Sequence, residues 1–196
     1  MPEREPDPLR RFGELLARAE RSGLPDATAV ALATSDRKGR PSVRMVLLKD
    51  FDRRGFRFFT NLGSRKAHDL AENPYAALCA HWPSIESQVR VEGPVERLGD
   101  AEADEYFARR PRGSRIGAWA SRQSEPMSSR AELERRAAEL AERFGKGSIP
   151  RPEFWSGFRV RPECIEFWEN RTDRLHAREL YQVEADGSWR VTLLQP

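Results

Sequence analysis

The spacing of apolar positions divides the chain into a leading helix, a strand-rich stretch, a helical insert and a closing set of strands. Residues 9–21, LRRFGELLARAER, place Leu9, Phe12, Leu15, Leu16 and Ala19 at helical intervals, and SGLP stops the run. From 27 to 62 the apolar runs are short: ATAVALATS, PSVRMVLLK and GFRFFTN, separated by the turn-rich DRKGR and DFDRRG. That spacing predicts three antiparallel strands in a meander. SRKAHDLAEN reads as a helix capped by Ser64 and ended before Pro74, followed by YAALCAHW and ESQVRVEGPVERL as two further strands. Short helices come next around DAEADEYFARR and RIGAWAS. SSRAELERRAAELAERFG is an amphipathic helix with Leu133, Ala137, Leu140 and Phe144 on one face and a capping box from Ser129 to Glu132. GFRVRPECIEFWE, RELYQVEA and SWRVTLL close the chain as three strands, the last two joined across Asp186 and Gly187.

Six to eight antiparallel strands with helices inserted between them point to a mainly β (α+β) fold built as an antiparallel barrel, not to a βαβ sheet. At 196 residues the chain fits one domain, expected over 9–196 with residues 1–8 loose ahead of it. No apolar run approaches the ~18 residues of a membrane span, and the charged, proline-broken opening MPEREPDPLRRF is no secretory signal. A cytoplasmic protein without membrane contact is expected. Cys79 and Cys164 stand far apart in apolar settings and read as small core residues, and the three histidines lack metal-ligand spacing, so no metal is expected. The 31 acids scattered among 34 bases leave a net charge of +3, without the segregated basic stripe of a nucleic-acid protein.

Among those bases only Lys38, Lys49, Lys66 and Lys146 are lysines, so a lysine in an apolar strand is more informative than one of the many arginines. In PSVRMVLLK the side chains alternate, with Val43, Met45, Leu47 and Lys49 on one face and Arg44, Val46 and Leu48 on the other. Arg44 and Lys49 would then cap opposite faces of a barrel strand and reach an anionic ligand at its rim. FFTNLGSRK runs a strand into a helix whose first turn carries Arg65 and Lys66. Cations there oppose the helix dipole unless an anion offsets them, which marks a phosphate site. YFARRPRGSRIGAWASRQS supplies a second one: Tyr106 and Arg110 share a helical face, Pro111 ends that helix and Ser114 caps the next. Two such sites imply two phosphorylated ligands, as for a cofactor and its substrate. Finally, ENRTDRLHAREL crowds Arg171, Arg174 and Arg178 around His176, directly after the apolar CIEFW.

Six motifs, RMVLLK, FFTNLGSRK, NPYAAL, QVRVEG, YFARRPRGSRIGAWASRQS and IEFWENRTDRLHAREL, stand in an order and spacing that resembles the pyridoxamine 5′-phosphate oxidase family from about residue 27 to the C-terminus. The resemblance implies a split β-barrel homodimer with FMN bound in two symmetric clefts at the subunit interface. It implies oxidation of pyridoxamine or pyridoxine 5′-phosphate to pyridoxal 5′-phosphate, with dioxygen as acceptor and hydrogen peroxide as by-product. By position it assigns to FMN the strand residues Arg44, Met45, Val46, Leu47, Leu48 and Lys49, then Phe59 and Thr60, with Arg65 and Lys66 at the phosphate. Gln88, Gln123, Ser124, Trp168 and Arg178 complete that set. Lys49, Tyr106, Arg110 and Ser114 match the positions around the substrate phosphate, while Arg174 and His176 match those at the pyridine ring and its chemistry. Arg171 is left as a solvated turn residue. The chain departs from the usual family pattern at Ser87, Asn170, Ala177 and the closing LLQP, and few residues precede the first helix. Two alternatives therefore stand beside this reading: a flavin oxidase acting on another ring system, as in phenazine biosynthesis, and a non-catalytic flavin-binding split barrel.

Overall fold

The computed structural model describes residues 7–196. Asp7 accepts the Arg10 amide N–H through its side chain (2.9 Å) and Pro8 occupies the first turn, which together start α1 (Pro8–Arg21). Of the segment 1–8 expected to be loose, residues 1–6 lie outside the described residues, whereas Pro8 is buried. The apolar face of α1 packs on the sheet through Phe12, whose ring meets Phe51, Phe56 and Trp82 at centroid distances of 5.0, 4.9 and 5.6 Å.

The strands are β1 (Ala29–Ser35), β2 (Pro41–Leu47), β3 (Asp50–Asp52), β4 (Gly55–Asn61), β5 (Tyr75–Trp82) and β6 (Ser87–Arg97), with α2 (Arg65–Glu72) inserted before β5. Three helices, α3 (Asp100–Arg109), α4 (Arg112–Ala120) and α5 (Arg130–Phe144), then precede β7 (Trp155–Val160), β8 (Cys164–Glu169), β9 (Ala177–Val183) and β10 (Trp189–Leu194). One leaf runs in the order β10-β9-β8-β6-β5-β1-β2, and β3, β4 and β7 form a second leaf attached through β6. Among the described residues every pairing is antiparallel, and the result is a curled, split β-barrel of ten strands instead of the six to eight expected.

Two strand expectations fail for local reasons. The stretch 27–62 is not a simple meander. At Leu48 and Lys49 the backbone N–H groups switch from the carbonyl of Thr28 to that of Arg57 (2.9 Å each), and β4 goes on to pair with β3 and β7, not β2. GFRVRPECIEFWE is two strands because Pro162 has no N–H to give a ladder. On either side of it, Arg161 and Glu163 donate to the carbonyls of Pro94 and Glu92 (2.9 Å each). β6 consequently serves both leaves, its residues 87–92 pairing with β8 and 95–97 with β7. Gly93 stands where the leaves part, and a Cβ there would overlap the Arg161 carbonyl.

Three smaller differences concern turns. Pro111, not Ser114, is the N-cap of α4, and Ser114 lies inside the first turn. The capping box is half made: Ser129 Oγ accepts the Glu132 N–H (3.3 Å), but the Glu132 carboxylate takes the N–H and O–H of Ser128. Asp186 and Gly187 sit within a longer turn closed by Glu184 N–H to Ser188 O (2.8 Å), with Gly187 at φ 85°.

One face of the larger leaf stays free of the core. Met45, Ala31, Cys79, Arg90, Glu166, Leu180 and Thr192 oppose one another across seven strands, so all point to one side. The β2 end of this face is apolar and open, with Val43 69% and Met45 63% exposed.

A smaller apolar cluster forms beneath α3–α5 from Phe107, Ile149 and Trp155, with Phe59, Tyr106, Ile116, Trp119 and Phe144 against it. Gly157 of β7 makes room for it: a Cβ there would lie 2.7 Å from Phe59 Cδ1 and from Leu98 Cδ1. Gly157→Ala is therefore expected to displace the Phe59 ring and to destabilise the fold by about 1–3 kcal/mol in thermal or urea unfolding. Gly113→Ala in α4, whose new methyl meets nothing within 4 Å, is the control and should unfold no earlier than the parent.

Candidate functional site

A cleft of about 780 Å³ opens between β2, β4, the start of α2 and the α3–α4 pair. Its floor is set by the end of β4, where the chain turns through Asn61 and Gly63 into α2. Asn61 Oδ1 accepts the Gly63 N–H (2.8 Å) and its Nδ2 donates to the Ser121 carbonyl (3.0 Å), fixing this turn against the loop that carries Gln123 and Ser124. Ser64 is the N-cap of α2 by position, yet its hydroxyl makes no capping bond. That part is taken by Ser124, held in a left-handed conformation (φ 75°), whose Oγ accepts the Arg65 N–H (3.2 Å).

Lys66 is 9% exposed and donates Nζ to Gln123 Oε1 (2.8 Å), Thr60 Oγ1 (3.1 Å) and Ser64 Oγ (3.3 Å). All three acceptors are neutral. Burial, and after it the charge of Arg44, push the ammonium down from 10.5 to about 8. Arg44 is held by the Leu32 carbonyl (3.1 Å), Thr34 Oγ1 (2.7 Å) and Ser42 Oγ (2.7 Å), with Asp69 3.6 Å away, and burial lowers its pKa as well. A buried ammonium beside a guanidinium, at a helix N-terminus and without an acid of its own, has the chemistry that suits an anion.

A second cationic group stands across the cleft. Phe59, Tyr106 and Trp155 stack nearly parallel, Phe59 lying 4.0 Å from Tyr106 and 5.4 Å from Trp155 between ring centroids. Arg110, the C-cap of α3, lays its guanidinium 4.7 Å from the centroid of Trp155. Its Nη1 is buried without a hydrogen-bond partner, and burial lowers its pKa, with Tyr106 the one opposing influence. Burial also raises the Tyr106 phenol. Among the described residues no carboxylate lies within ion-pair distance of Lys66 or Arg110. Lys49 and Ser114 line the same cleft.

Of the positions singled out between 44 and 124, all line this cleft except Leu48, which is buried at the corner between the leaves, and Gln88. Gln88, Trp168 and Arg178 instead oppose one another on β6, β8 and β9. Arg178 grips the buried Glu166 through Nε (2.9 Å) and Nη2 (3.1 Å), and Arg90 reaches the same carboxylate (2.6 Å). The Trp168 ring lies 4.6 Å from that of His176, whose Nδ1 accepts the Arg171 N–H (3.3 Å). Arg174 is exposed, in a left-handed conformation (φ 61°). The residues singled out thus fall into two groups, one in the cleft and one beside β8. Trp155, Asn61, Ser42 and Ser121 were not singled out from sequence although they line the cleft. For Trp155 the available signal was the aromatic pair in EFWSGF just ahead of a strand.

Residues 16–144 match the family model described as pyridoxamine 5′-phosphate oxidase, and residues 155–196 match that of the pyridoxine 5′-phosphate oxidase C-terminal dimerisation region. A relative from Anaeromyxobacter dehalogenans named pyridoxine/pyridoxamine 5′-phosphate oxidase is 60% identical, covering 100% of this chain and 98% of its own. One of the same name from Rubrobacter xylanophilus is 56% identical, covering 98% and 88%. The solved structure of PhzG from Burkholderia lata 383, in complex with tetrahydrophenazine-1-carboxylic acid, superposes with a TM-score of 0.92 at 32% identity, covering 100% of this chain and 94% of that one. A pyridoxamine 5′-phosphate oxidase-related, FMN binding protein from Nostoc punctiforme shares the fold with a TM-score of 0.80 at 19% identity, covering 98% and 100%. The fold is a split barrel, and the relatives named as oxidases place it in an oxidoreductase class. The chain belongs to the pyridoxamine 5′-phosphate oxidase family.

The lowered Lys66 pKa fixes a pH dependence. Below about 8 the ammonium is charged and able to hold an anion; above it the charge is lost, so affinity for inorganic phosphate should fall as pH rises from 8 to 9.5. Calorimetric titration should also show proton uptake on binding in that window, and Lys66→Met should remove both the fall and the uptake. The unfolded chain binds the Lys66 proton up to about 10.5, more than the folded chain does, so this residue's burial costs stability below 8 and the cost fades between 8 and 10.5.

Proposed function

We propose that the chain is an FMN-dependent oxidase converting pyridoxamine or pyridoxine 5′-phosphate to pyridoxal 5′-phosphate, with dioxygen as electron acceptor. The observation that carries this reading is the pair of separate cations in one cleft, Lys66 and Arg110, each buried or half-buried without an acid partner. Such a pair suits two phosphorylated ligands side by side, a cofactor and a substrate. The residues present fit FMN: Lys66, Arg65, Thr60, Gln123 and Ser124 supply donors for its phosphate, and the strand from Arg44 to Lys49 offers an edge for its ring. When bound, FMN would supply the redox chemistry, accepting two electrons from the substrate carbon that bears the amine or alcohol and passing them with two protons to dioxygen as hydrogen peroxide; the alcohol gives the aldehyde directly, and the imine formed from the amine is hydrolysed by water with release of ammonia.

What this chain contributes is binding and alignment. Lys49, Tyr106, Arg110 and Ser114 hold the substrate phosphate, Arg110 with paired N–H donors. Arg174 and His176 act at the pyridine ring. His176 already accepts a hydrogen bond at Nδ1, which leaves Nε2 as the atom to donate to the substrate. These two residues, with Gln88, Trp168 and Arg178, come from the second subunit of a homodimer and close the cleft against water. The match of 155–196 to a dimerisation region and the open apolar end of the β2 face both support that arrangement. The 56–60% identical relatives support the pyridine substrate. A second reading, oxidation of a reduced tricyclic carboxylic acid, is supported by the full-length likeness to PhzG.

The test is anaerobic mixing of the FMN-loaded protein with pyridoxine 5′-phosphate while the flavin's visible absorbance is followed. Bleaching is expected, with recovery and pyridoxal 5′-phosphate formation once air is admitted. The double variant Arg110→Ala, Arg174→Ala should lose roughly a hundredfold or more in kcat/KM. Bound FMN bleached by a dihydrophenazine carboxylate but not by the phosphorylated pyridine would move the assignment to the second reading. FMN bleached by neither would leave a flavin-binding protein without this activity.

A further inference from the structure

We propose that Trp155 is a positioning residue for the substrate phosphate: it holds the Arg110 guanidinium by its ring face, where other buried arginines of this chain are held by carboxylates. The inference rests on the reading of Arg110 as a phosphate-binding residue and adds to it the element that keeps that cation available.

The contrast within the molecule is what carries it. Arg159 is clamped by Glu96 (2.6 Å) and Glu102 (2.7 Å), Arg151 by Asp104 (2.6 Å) and Asp100 (2.9 Å), and Arg178 by Glu166; Arg11 lies over the Phe167 ring at 4.3 Å but is held by Glu179 (2.8 Å) as well. Arg110 is half-buried like them, but its surroundings are the rings of Trp155 and Phe107, at 4.7 and 5.6 Å, and the phenol of Tyr106. A carboxylate in that place would hold the guanidinium firmly and neutralise it. A ring face holds it through its π surface and leaves both the charge and the in-plane N–H edge free for an incoming dianion.

Trp155 is itself fixed well enough to set a direction. Its backbone N–H donates to the Pro152 carbonyl (2.9 Å) and its backbone carbonyl accepts from Arg151 Nη1 (2.8 Å). The ring stacks on Phe59 at an interplanar angle of 6° and meets Phe107 edge-on at 5.0 Å. Arg110 lies against it on the cleft side, and the unpartnered Nη1 belongs to this same guanidinium.

The test compares Trp155→Leu and Trp155→Phe, each alone and combined with Arg110→Ala, in the FMN-loaded protein. Trp155→Leu is expected to raise KM for pyridoxine 5′-phosphate and the inhibition constant of inorganic phosphate roughly tenfold, the size of a desolvated cation–π contact. Turnover at saturation, FMN affinity and the activity on unphosphorylated pyridoxine should stay near the parent values. Trp155→Phe, which keeps a smaller ring face, should fall between the two, and it carries the test alone if the leucine variant does not fold. In the Arg110→Ala background neither Trp155 change should weaken phosphate further. A Trp155 effect that persists without Arg110, or one equal for phosphorylated and unphosphorylated substrates, would overturn the proposal. Loss of phosphate preference in Arg110→Ala with parent-like Trp155 variants would sink this inference alone. An unchanged preference in Arg110→Ala would sink the phosphate reading of that residue, and the inference with it.

Discussion

The architecture depends on one strand belonging to two leaves. β6 pairs with β8 through residue 92, with β5 through residue 94 and with β7 from residue 95. Between them Gly93 lets the Arg161 carbonyl approach where no side chain would fit. Because β7 is drawn onto β4 by this bend, Trp155 and Gly157 come to lie opposite Asn61 and Phe59. The aromatic wall of the cleft is thus a consequence of how the sheet divides. The same bend sends β8 the other way, which carries Trp168 and His176 off to a second group. A single backbone decision therefore separates the cleft residues from the Trp168–His176 group within one chain.

The charges obey a simple division of labour. Arginines that bind the fold together have acids: Arg159 bridges β7 to Glu96 and Glu102, and Glu166 gathers Arg90 and Arg178. Two cations that face the cleft, Lys66 and Arg110, are held instead by neutral oxygens and by a ring face, while Arg44 beside them keeps Asp69 at 3.6 Å. Leaving a charge buried without a counter-charge destabilises a fold unless something else offsets it, so the absence of acids at these positions is a physical mark of a binding site and not of a structural ion pair.

Much of this was visible in the residue order, because it depends on neighbours in sequence. The apolar spacing located α1, the alternation in PSVRMVLLK separated Arg44 and Val46 from the exposed Val43, Met45 and Leu47, and the cations of GSRK drew the eye to a helix start where Lys66 is buried among neutral oxygens. What could not be read depends on distant partners. Period-two alternation says which side chains share a face but not which strand lies alongside, so the departure of β4 from β2 was hidden. Arg65 and Lys66 look alike as a pair in sequence. Only Lys66 is buried, because Gln123, 57 residues later, folds over it. Trp155 stayed unremarked for the same reason, its partners Phe59 and Arg110 being far away along the chain.

The neutral cage around Lys66 also bears on speed. A ligand entering a pocket whose cation is locked to a carboxylate must first break an ion pair, and the acid left behind then repels the newcomer. Here arrival of an anion requires only the exchange of hydrogen bonds from Gln123, Thr60 and Ser64, and the released amide and hydroxyls turn into further partners for the guest. The pocket is pre-charged and lightly latched, an arrangement that favours rapid capture and concentrates the barrier to exchange in the step of departure.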